Sequence, residues 1–529
     1  MRTIRITFTM FGQCVGRVIM KLMPKSQPGL FSLLNLYQQY LTCRRNKRNT
    51  LNALSFEFNA ERELGALALE LHHKSYQPRR SIAFVVAKPK LREIVAADFR
   101  DRIVHHVLIE RLEAIFEPKF IYDSYACRKN KGTHKAVARV EQFIRKLTAN
   151  GGQGYFLQLD IHNFFMNIDK NILIGLLDKQ TRDDKLRWLA RIIILLKPQE
   201  NMLQKGDWRL FAKLPEHKSL LNAPEGKGLP IGNLTSQFFA NVYLDQLDQF
   251  VKHTLKCRYY VRYCDDFILL DNSKEQLLEF KSQIETFLAE RLLLKLNPRY
   301  NAVLPLSNGI YYLGYIIHPH YRLVRKRVID NLRNKLNDFS SKLYLQTAKD
   351  VIQVNYDYPL LANLHATLAS YLGHLQHANS YRLLESLFKR FSWLNYFFKL
   401  VWQADKAYLE RRYIFKAVGG GIASQYGYYI SCFSGYVLLF QVGCYYEFYT
   451  ELDSELRKLL NLRRLQHSSR GAYYGFPVCK FEGYSQILLN HGYRLVIVKE
   501  SERYLGRLKQ RLPEKLLFKS ERTQDEKYL

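Results

Sequence analysis

The sequence predicts an α+β protein of several domain-sized units with a small mixed α/β module after them, and three observations lead there. At 529 residues the chain is long enough for about three or four units, each with its own core. Two apolar stretches, Tyr155–Phe165 and Tyr259–Leu270, carry aspartates where strands should end, among long runs with helical spacing. The run Ala417-Val418-Gly419-Gly420-Gly421-Ile422-Ala423-Ser424 punctuates the chain, and the residues beyond it alternate Gly, Tyr, Phe and Val.

Charge narrows the partner. Lys and Arg number 80 against 48 Asp and Glu, a formal charge of +32, which points to a polyanion bound through counterion release. A membrane surface is the competing partner, but no apolar run approaches the roughly 18 residues of a spanning helix. The eight cysteines form no C-x-x-C pair, so zinc and a disulfide framework are disfavoured and a reducing, cytoplasmic setting is expected. The basic start, Met1 to about Lys25, has too short an apolar core at Val18-Ile19-Met20 for a signal peptide; a transit peptide is the alternative.

In chain order, Leu30–Tyr76 reads as helices, with apolar Leu64, Leu67, Leu69 and Leu71 and a basic cluster, Arg44–Arg48, between helices. Ser81–Ala97 reads as a hairpin around a Lys-Pro-Lys turn. A helix then runs from Phe99 to about Phe116; its adjacent His105 and His106 cannot share a face, which argues against a metal pair. Tyr125–His134 is a basic loop with a glycine, followed by a helix through Leu147. Residues 170–215 read as helices without extractable chemistry. Gly228-Leu229-Pro230-Ile231-Gly232 forms a turn in which Gly232 lets backbone approach a substrate closely, and a helix from about Thr235 to Leu255 comes next. Lys274–Leu292 is a further helix, and Arg322 to about Leu409 is helical and basic.

The chemistry gathers at the aspartates. A lone Asp-Asp is ordinary in a turn, where it caps amides. Asp160, 105 residues before Asp265, changes the balance. Two carboxylate-bearing strand ends adjacent in one sheet suit a pair of Mg²⁺ ions, one acidifying an attacking hydroxyl and the other neutralising a leaving pyrophosphate. These stretches resemble the palm motifs of reverse transcriptases, with Tyr263-Cys264-Asp265-Asp266 at the family's Tyr-x-Asp-Asp signature. The resemblance covers about residues 30–400 and implies a right-hand polymerase: fingers 30–150, palm 151–320 with a fingers insertion, and a helical thumb at 321–415, after an N-terminal extension at 1–29.

By that resemblance Asp160 and Asp265 ligate metal with the Ile161 carbonyl, and Asp266 supports them. Lys90 and Arg92 meet the triphosphate, whose geometry suits arginine's planar fork. Phe165 is the steric gate against a ribose 2′-hydroxyl, while core packing is the ordinary fate of both it and Phe164. Ile231, Gly232, Ser236 and Gln237 line the nucleotide. Arg128 and Lys131 touch the template strand, and Tyr312-Leu313-Gly314-Tyr315 forms the primer grip. The general acid for pyrophosphate stays unassigned, since Arg299 follows the Leu-x-Leu-Asn step where the family often has a lysine pair. Most members carry glutamine at the position of Ile231; Ile-Gly-x-x-x-Ser-Gln resembles the enzymes of diversity-generating retroelements, which copy template adenines with errors.

After an expected linker at 416–424, residues 425–510 resemble the mismatch-recognition domain of MutS proteins, with Tyr445 as an aromatic wedge and Glu447 as the hydrogen-bonding partner of a base. The ordinary alternative is an aromatic sheet core. No G-x-x-x-x-G-K-[ST] occurs, so no MutS-type ATPase is expected. Residues 511–529 read as a charged, frayed tail.

The resemblances together imply error-prone cDNA synthesis on a structured template RNA, with two Mg²⁺ (Mn²⁺ as substitute), deoxynucleotides, an RNA–cDNA duplex, target DNA and an accessory retroelement oligomer as partners. A retron-, group II intron- or defence-type enzyme is the alternative, and a catalytically silent RNA scaffold the alternative of another class.

Overall fold

The computed structural model describes residues 29–520 apart from 46–49, 88–89, 300, 348–349, 405, 420, 450–453 and 468–470. Residues 1–28 of the N-terminal extension, most of the Arg44–Arg48 cluster, the Lys88-Pro89 turn tip, Gly420 and the last nine residues of the expected tail lie outside the described residues. The chain divides into two compact units, Met1–Leu313 with Ile317–His320, and Gly314–Ile316 with Tyr321–Leu529.

In the first unit, apolar spacing makes helices that pack into one core. Leu64, Leu67 and Leu71 bury one face of the helix Ala60–His72, whereas Leu69, expected to join them, lies off that face and is exposed. The helix Phe99–Phe116, capped by the Asp98 carboxylate on the Arg100 amide, is buried on nearly every side. Strands β1 (Ser81–Val86) and β2 (Arg92–Ala96) form the expected antiparallel hairpin. Strand β3 (Tyr155–Asp160) follows the helix Thr133–Leu147.

The region read as plain helices contains more. Strand β4 (Met202–Gln204) pairs parallel to β1, and a short helix, Trp208–Ala212, follows it. A four-stranded sheet is then completed by β5 (Tyr259–Tyr263), β6 (Asp266–Asp271) and β7 (Val303–Pro305), in the order β5-β6-β3-β7. The helix expected to reach Leu255 is regular over Leu234–Gln249 and widens to a π turn at Phe250–Thr254.

Short strands β8 (Ile310–Tyr312) and β9 (Tyr315–Ile317) stand where the chain passes between units, and β10 (Arg322–Val324) follows. The second unit departs most from expectation. Its helices Lys326–Leu343, Tyr358–Leu375 and Tyr381–Arg390 are interrupted by β11 (Tyr344–Gln346) and β12 (Val351–Asn355), and followed by a hairpin of β13 (Phe398–Gln403) and β14 (Lys406–Arg411). The thumb is therefore not all helical.

A helix, Ile422–Cys432, begins inside the expected linker. After it come β15 (Val437–Val442), β16 (Tyr445–Phe448), β17 (Leu465–His467), β18 (Gly471–Pro477), β19 (Leu495–Leu505) and β20 (Leu508–Lys519). One eight-stranded sheet results, β11-β12-β20-β19-β15-β16-β18-β17. The supposed tail up to Lys519 is thus an interior strand with Arg511 and Leu516 buried. The reason is tertiary: Leu516-Leu517-Phe518 is too short a run among charges to declare itself without β12 and β19 on either side. One hydrophobic core joins thumb residues such as Leu336 and Leu364 to Phe440, Tyr446 and Phe518.

A chain ending at residue 419 should accordingly lose cooperative folding of its thumb, because β12 would bare Val351, Ile352 and Val354 and lose its ladder with β20. Hydrogen exchange reads this directly: amides of Val351–Asn355 should exchange near the unfolded rate, and full-chain protection in the truncated protein would show that the thumb folds alone.

Candidate functional site

Register brings the aspartates together. Asp160 ends β3 opposite Asp266 on β6, and Asp266 also pairs with Tyr263 across the β5–β6 hairpin. That leaves Cys264 and Asp265 as a two-residue turn, with Cys264 at φ 59°. A branched or bulky residue is strained there by on the order of 1 kcal/mol or more, so something must hold the turn.

The holder is a buried ion pair. Arg262 and Asp248 are both fully buried, and the guanidinium meets the carboxylate in a fork, Nε–Oδ1 2.7 Å and Nη2–Oδ2 2.6 Å. Its remaining nitrogen, Nη1, donates to the Cys264 carbonyl at 3.0 Å and to Asn241 at 3.2 Å. Tyr260 Oη donates to the same Asp248 at 2.8 Å. Burial alone would lower the pKa of Arg262, but Asp248 more than reverses that, so the cation persists.

The acidic side chains sit in contrasting settings. Burial raises the Asp160 pKa, opposed by a hydrogen bond from Asn297 Nδ2 at 2.8 Å and by the field of Lys90. Burial also raises Asp265, and the charge of Asp160 adds to the rise while Arg92 opposes it. Gln158 Nε2 donates to Asp266 at 3.0 Å. Neither Asn297 nor Gln158 announces itself in the sequence; the signal that could have found Asn297 is its place in the Leu-x-Leu-Asn step, which draws notice only for the lysines it lacks. Ile161 is buried and bridges to Leu296. Among the described residues no three His, Cys, Asp or Glu side chains gather to hold a metal ion, so any cation here would need oxygens beyond Asp160 and Asp265. His105 is buried and its pKa is pushed down to about 3, which makes it a neutral core residue.

The nucleotide-contact expectations divide. Lys90 and Arg92 are exposed and their fields reach Asp160 and Asp265. Phe165 and Ile231 are half-buried around a small core of Ala83, Val95, Met166 and Leu220, and the Ile231 carbonyl accepts from the Val95 amide at 2.8 Å. Gly232 has φ 124°, and a Cβ there would lie 2.7 Å from Ile94 Cγ2. Its bareness thus makes room for the hairpin strand β2. Gln237 is exposed, but Ser236 is buried in the first turn of Leu234–Gln249 and faces the interior.

Of the two template contacts expected, Arg128 is corrected and Lys131 has an internal partner. Arg128 is committed to Glu117 and to the Ile121 and Ser124 carbonyls, so its guanidinium ties its own loop together. Lys131 donates to the Tyr122 carbonyl and lies 3.4 Å over the Tyr122 ring. Burial and then Arg128 lower its pKa. A basic loop looks alike whether its cations face a phosphate or a carbonyl. At the expected primer grip, Tyr312 and Tyr315 are buried, Leu313 and Gly314 take positive φ, and Tyr315 stacks on His374 at 4.3 Å. Leu313 and Gly314 between them are half-buried. In the second unit Tyr445 is 44% exposed, as a wedge requires, whereas Glu447 is 2% exposed and bonded by the Tyr449 hydroxyl, so it does not present its carboxylate to a base.

Residues 82–317 match the family of reverse transcriptases (RNA-dependent DNA polymerases), and residues 421–517 match MutS domain I. The group II intron-encoded protein LtrA of Lactococcus lactis subsp. cremoris is 24% identical over 323 residues, covering 49% of this chain and 50% of that protein. Protein YkfC of Escherichia coli K12 is 23% identical over 317 residues, covering 53% of this chain and 78% of that protein. The chain thus spans half the length of LtrA. A telomerase structure from Candida albicans aligns over 60% of this chain and 55% of its own, with 11% identity and a TM-score of 0.35.

The Arg262–Asp248 pair generates a stability prediction. Removing one partner strands a buried charge and should cost about 3–5 kcal/mol, whereas removing both costs less than the sum. Chemical denaturation of Arg262→Met, Asp248→Asn and the double variant measures it, and strictly additive losses would show that the two residues are not coupled.

Proposed function

We propose that the protein is an RNA-directed DNA polymerase that extends a primer 3′-hydroxyl along an RNA template. The hydroxyl oxygen bonds to the α-phosphorus of a deoxynucleotide and pyrophosphate leaves. The observation that carries the reading is the convergence of Asp160 and Asp265 at neighbouring strand ends, within a segment matching reverse transcriptases.

The residues fit divalent cations such as Mg²⁺. The charge of Asp160 makes ionisation of Asp265 costly in a half-dry cleft, a cation relieves that repulsion, and the Ile161 carbonyl and substrate phosphates would complete the donor set. Such ions, when bound, lower the pKa of the attacking hydroxyl and neutralise the leaving group. The chain's own residues supply position. Asn297 orients Asp160 and Gln158 orients Asp266. Lys90 and Arg92 bind the triphosphate from the hairpin, and Phe165, beside Ile231, excludes a ribose hydroxyl. Tyr445 stacks on nucleic acid held by the second unit.

Two finer readings compete. Ile231 in place of glutamine supports the adenine-mutagenic, diversity-generating type, because an aliphatic contact leaves shape as the only check on the nascent pair and shape discriminates weakly. The name of LtrA supports a group II intron type.

Asp265→Ala should reduce primer extension by on the order of a thousandfold while leaving RNA affinity within about twofold; full extension by this variant would refute the polymerase in favour of a scaffold. Ile231→Gln should lower misincorporation opposite template adenine by about tenfold, scored by sequencing cDNA. An adenine error rate already low in the wild-type chain favours the intron type.

A further inference from the structure

We propose that the insertion around β4 and Trp208 is a stacking platform for unpaired nucleic acid, namely the template strand that has yet to reach the active site. The proposal rests on the polymerase reading above and names a partner surface for that same site.

Trp208 is 71% exposed, an unusual position for the largest apolar side chain unless a partner covers it. It is not a core residue left over from poor packing. Phe211 and Leu220, from the same insertion, fill the small core shared with Ala83, Val95, Phe165 and Ile231. Asp207 caps the short helix that carries the ring, accepting from the Arg209 amide at 2.9 Å. Lys205, Arg209, Lys213 and Lys218, all within ten residues of it in the chain, are exposed, and the Arg209 guanidinium lies 5.9 Å from the indole centroid. The acids interspersed among them are Asp207 and Glu216, so the surface remains cationic.

Two anchors set this surface beside the catalytic aspartates. On one side β4 pairs with β1, the Lys205 amide donates to the Ala83 carbonyl at 2.8 Å, and the buried Glu93 of β2 accepts from Ser219 Oγ at 3.1 Å and the Leu220 amide at 2.6 Å. On the other, the His217 ring stacks over His162, two residues after Asp160, with centroids 6.1 Å apart. The platform therefore belongs to the same body as the hairpin that carries Lys90 and Arg92.

An exposed indole with cations before and after it in the chain suits a base and its flanking phosphates, and it accepts any base because every base has a π face. A duplex hides those faces, so the occupant is single-stranded. The strand that must be both unpaired and close to the aspartates is the template ahead of the nascent pair.

Template–primer duplexes with a 5′ template overhang of one nucleotide or of about ten, a length within the usual range for one single-strand site, test this by fluorescence anisotropy without nucleotides. The wild-type chain should bind the long overhang about tenfold tighter than the short one. Trp208→Ala should lose that gain, Trp208→Phe should keep most of it, and all three should bind the short overhang equally. Equal weakening of Trp208→Ala on both duplexes, or no overhang dependence in the wild-type chain, overturns the proposal. So does a wild-type oligomer that Trp208→Ala dissociates, since the ring would then serve a protein interface. Binding is read without catalysis, so a wild-type chain that bound as expected yet made no cDNA would fail the polymerase reading alone.

Discussion

The arrangement at the aspartates depends on one buried ion pair. Carboxylates can be presented at a strand turn only if the turn keeps its shape, and here it has a non-glycine residue in left-handed backbone. Arg262 supplies the constraint, since a single planar cation engages Asp248 with two nitrogens and holds the Cys264 carbonyl with a third. Desolvating two charges is expensive, and a pair of this kind commonly adds little net stability over apolar substitutes. Its use is geometric: it links the helix Leu234–Gln249, through Asp248 and Asn241, to the hairpin carrying Asp265 and Asp266.

The arrangement of the aspartates was legible because its signals are local. Alternating apolar runs, a turn and a carboxylate at the strand end say strand, hairpin and cation, and β3, β5 and β6 formed where those signals stood. Arg262 was hidden in the same run, since nothing in Tyr-Val-Arg-Tyr tells a buried arginine from an exposed one until Asp248 is placed beneath it. The expectations for Arg128, Ser236 and Glu447 erred for one shared reason, which bears on Lys131 as well. Sequence gives the type of a polar group but not its partner, and each of these has an internal one or faces the interior. Gly232 was marked for absence of a side chain, and the neighbour the structure gives it is Ile94.

The second unit was less legible because its sheet is built from distant pieces. Strands β11 and β12 lie between helices whose period dominates the pattern, and their pairing partner is β20. Reading domains as consecutive segments placed a boundary at the glycines near residue 420, where one hydrophobic core in fact continues from thumb helices to MutS-like strands. Gly-rich punctuation marks a change of direction as readily as a domain edge.

The pairing of Val351 with Lys519 also has a temporal side. Ribosomes add about 5–20 residues per second, so β12 emerges roughly ten to thirty seconds before the strand that covers it. Throughout that interval the nascent thumb carries an open sheet edge and uncovered apolar side chains, a natural substrate for holdase chaperones. The eight-stranded sheet is thereby complete only once synthesis has passed β20.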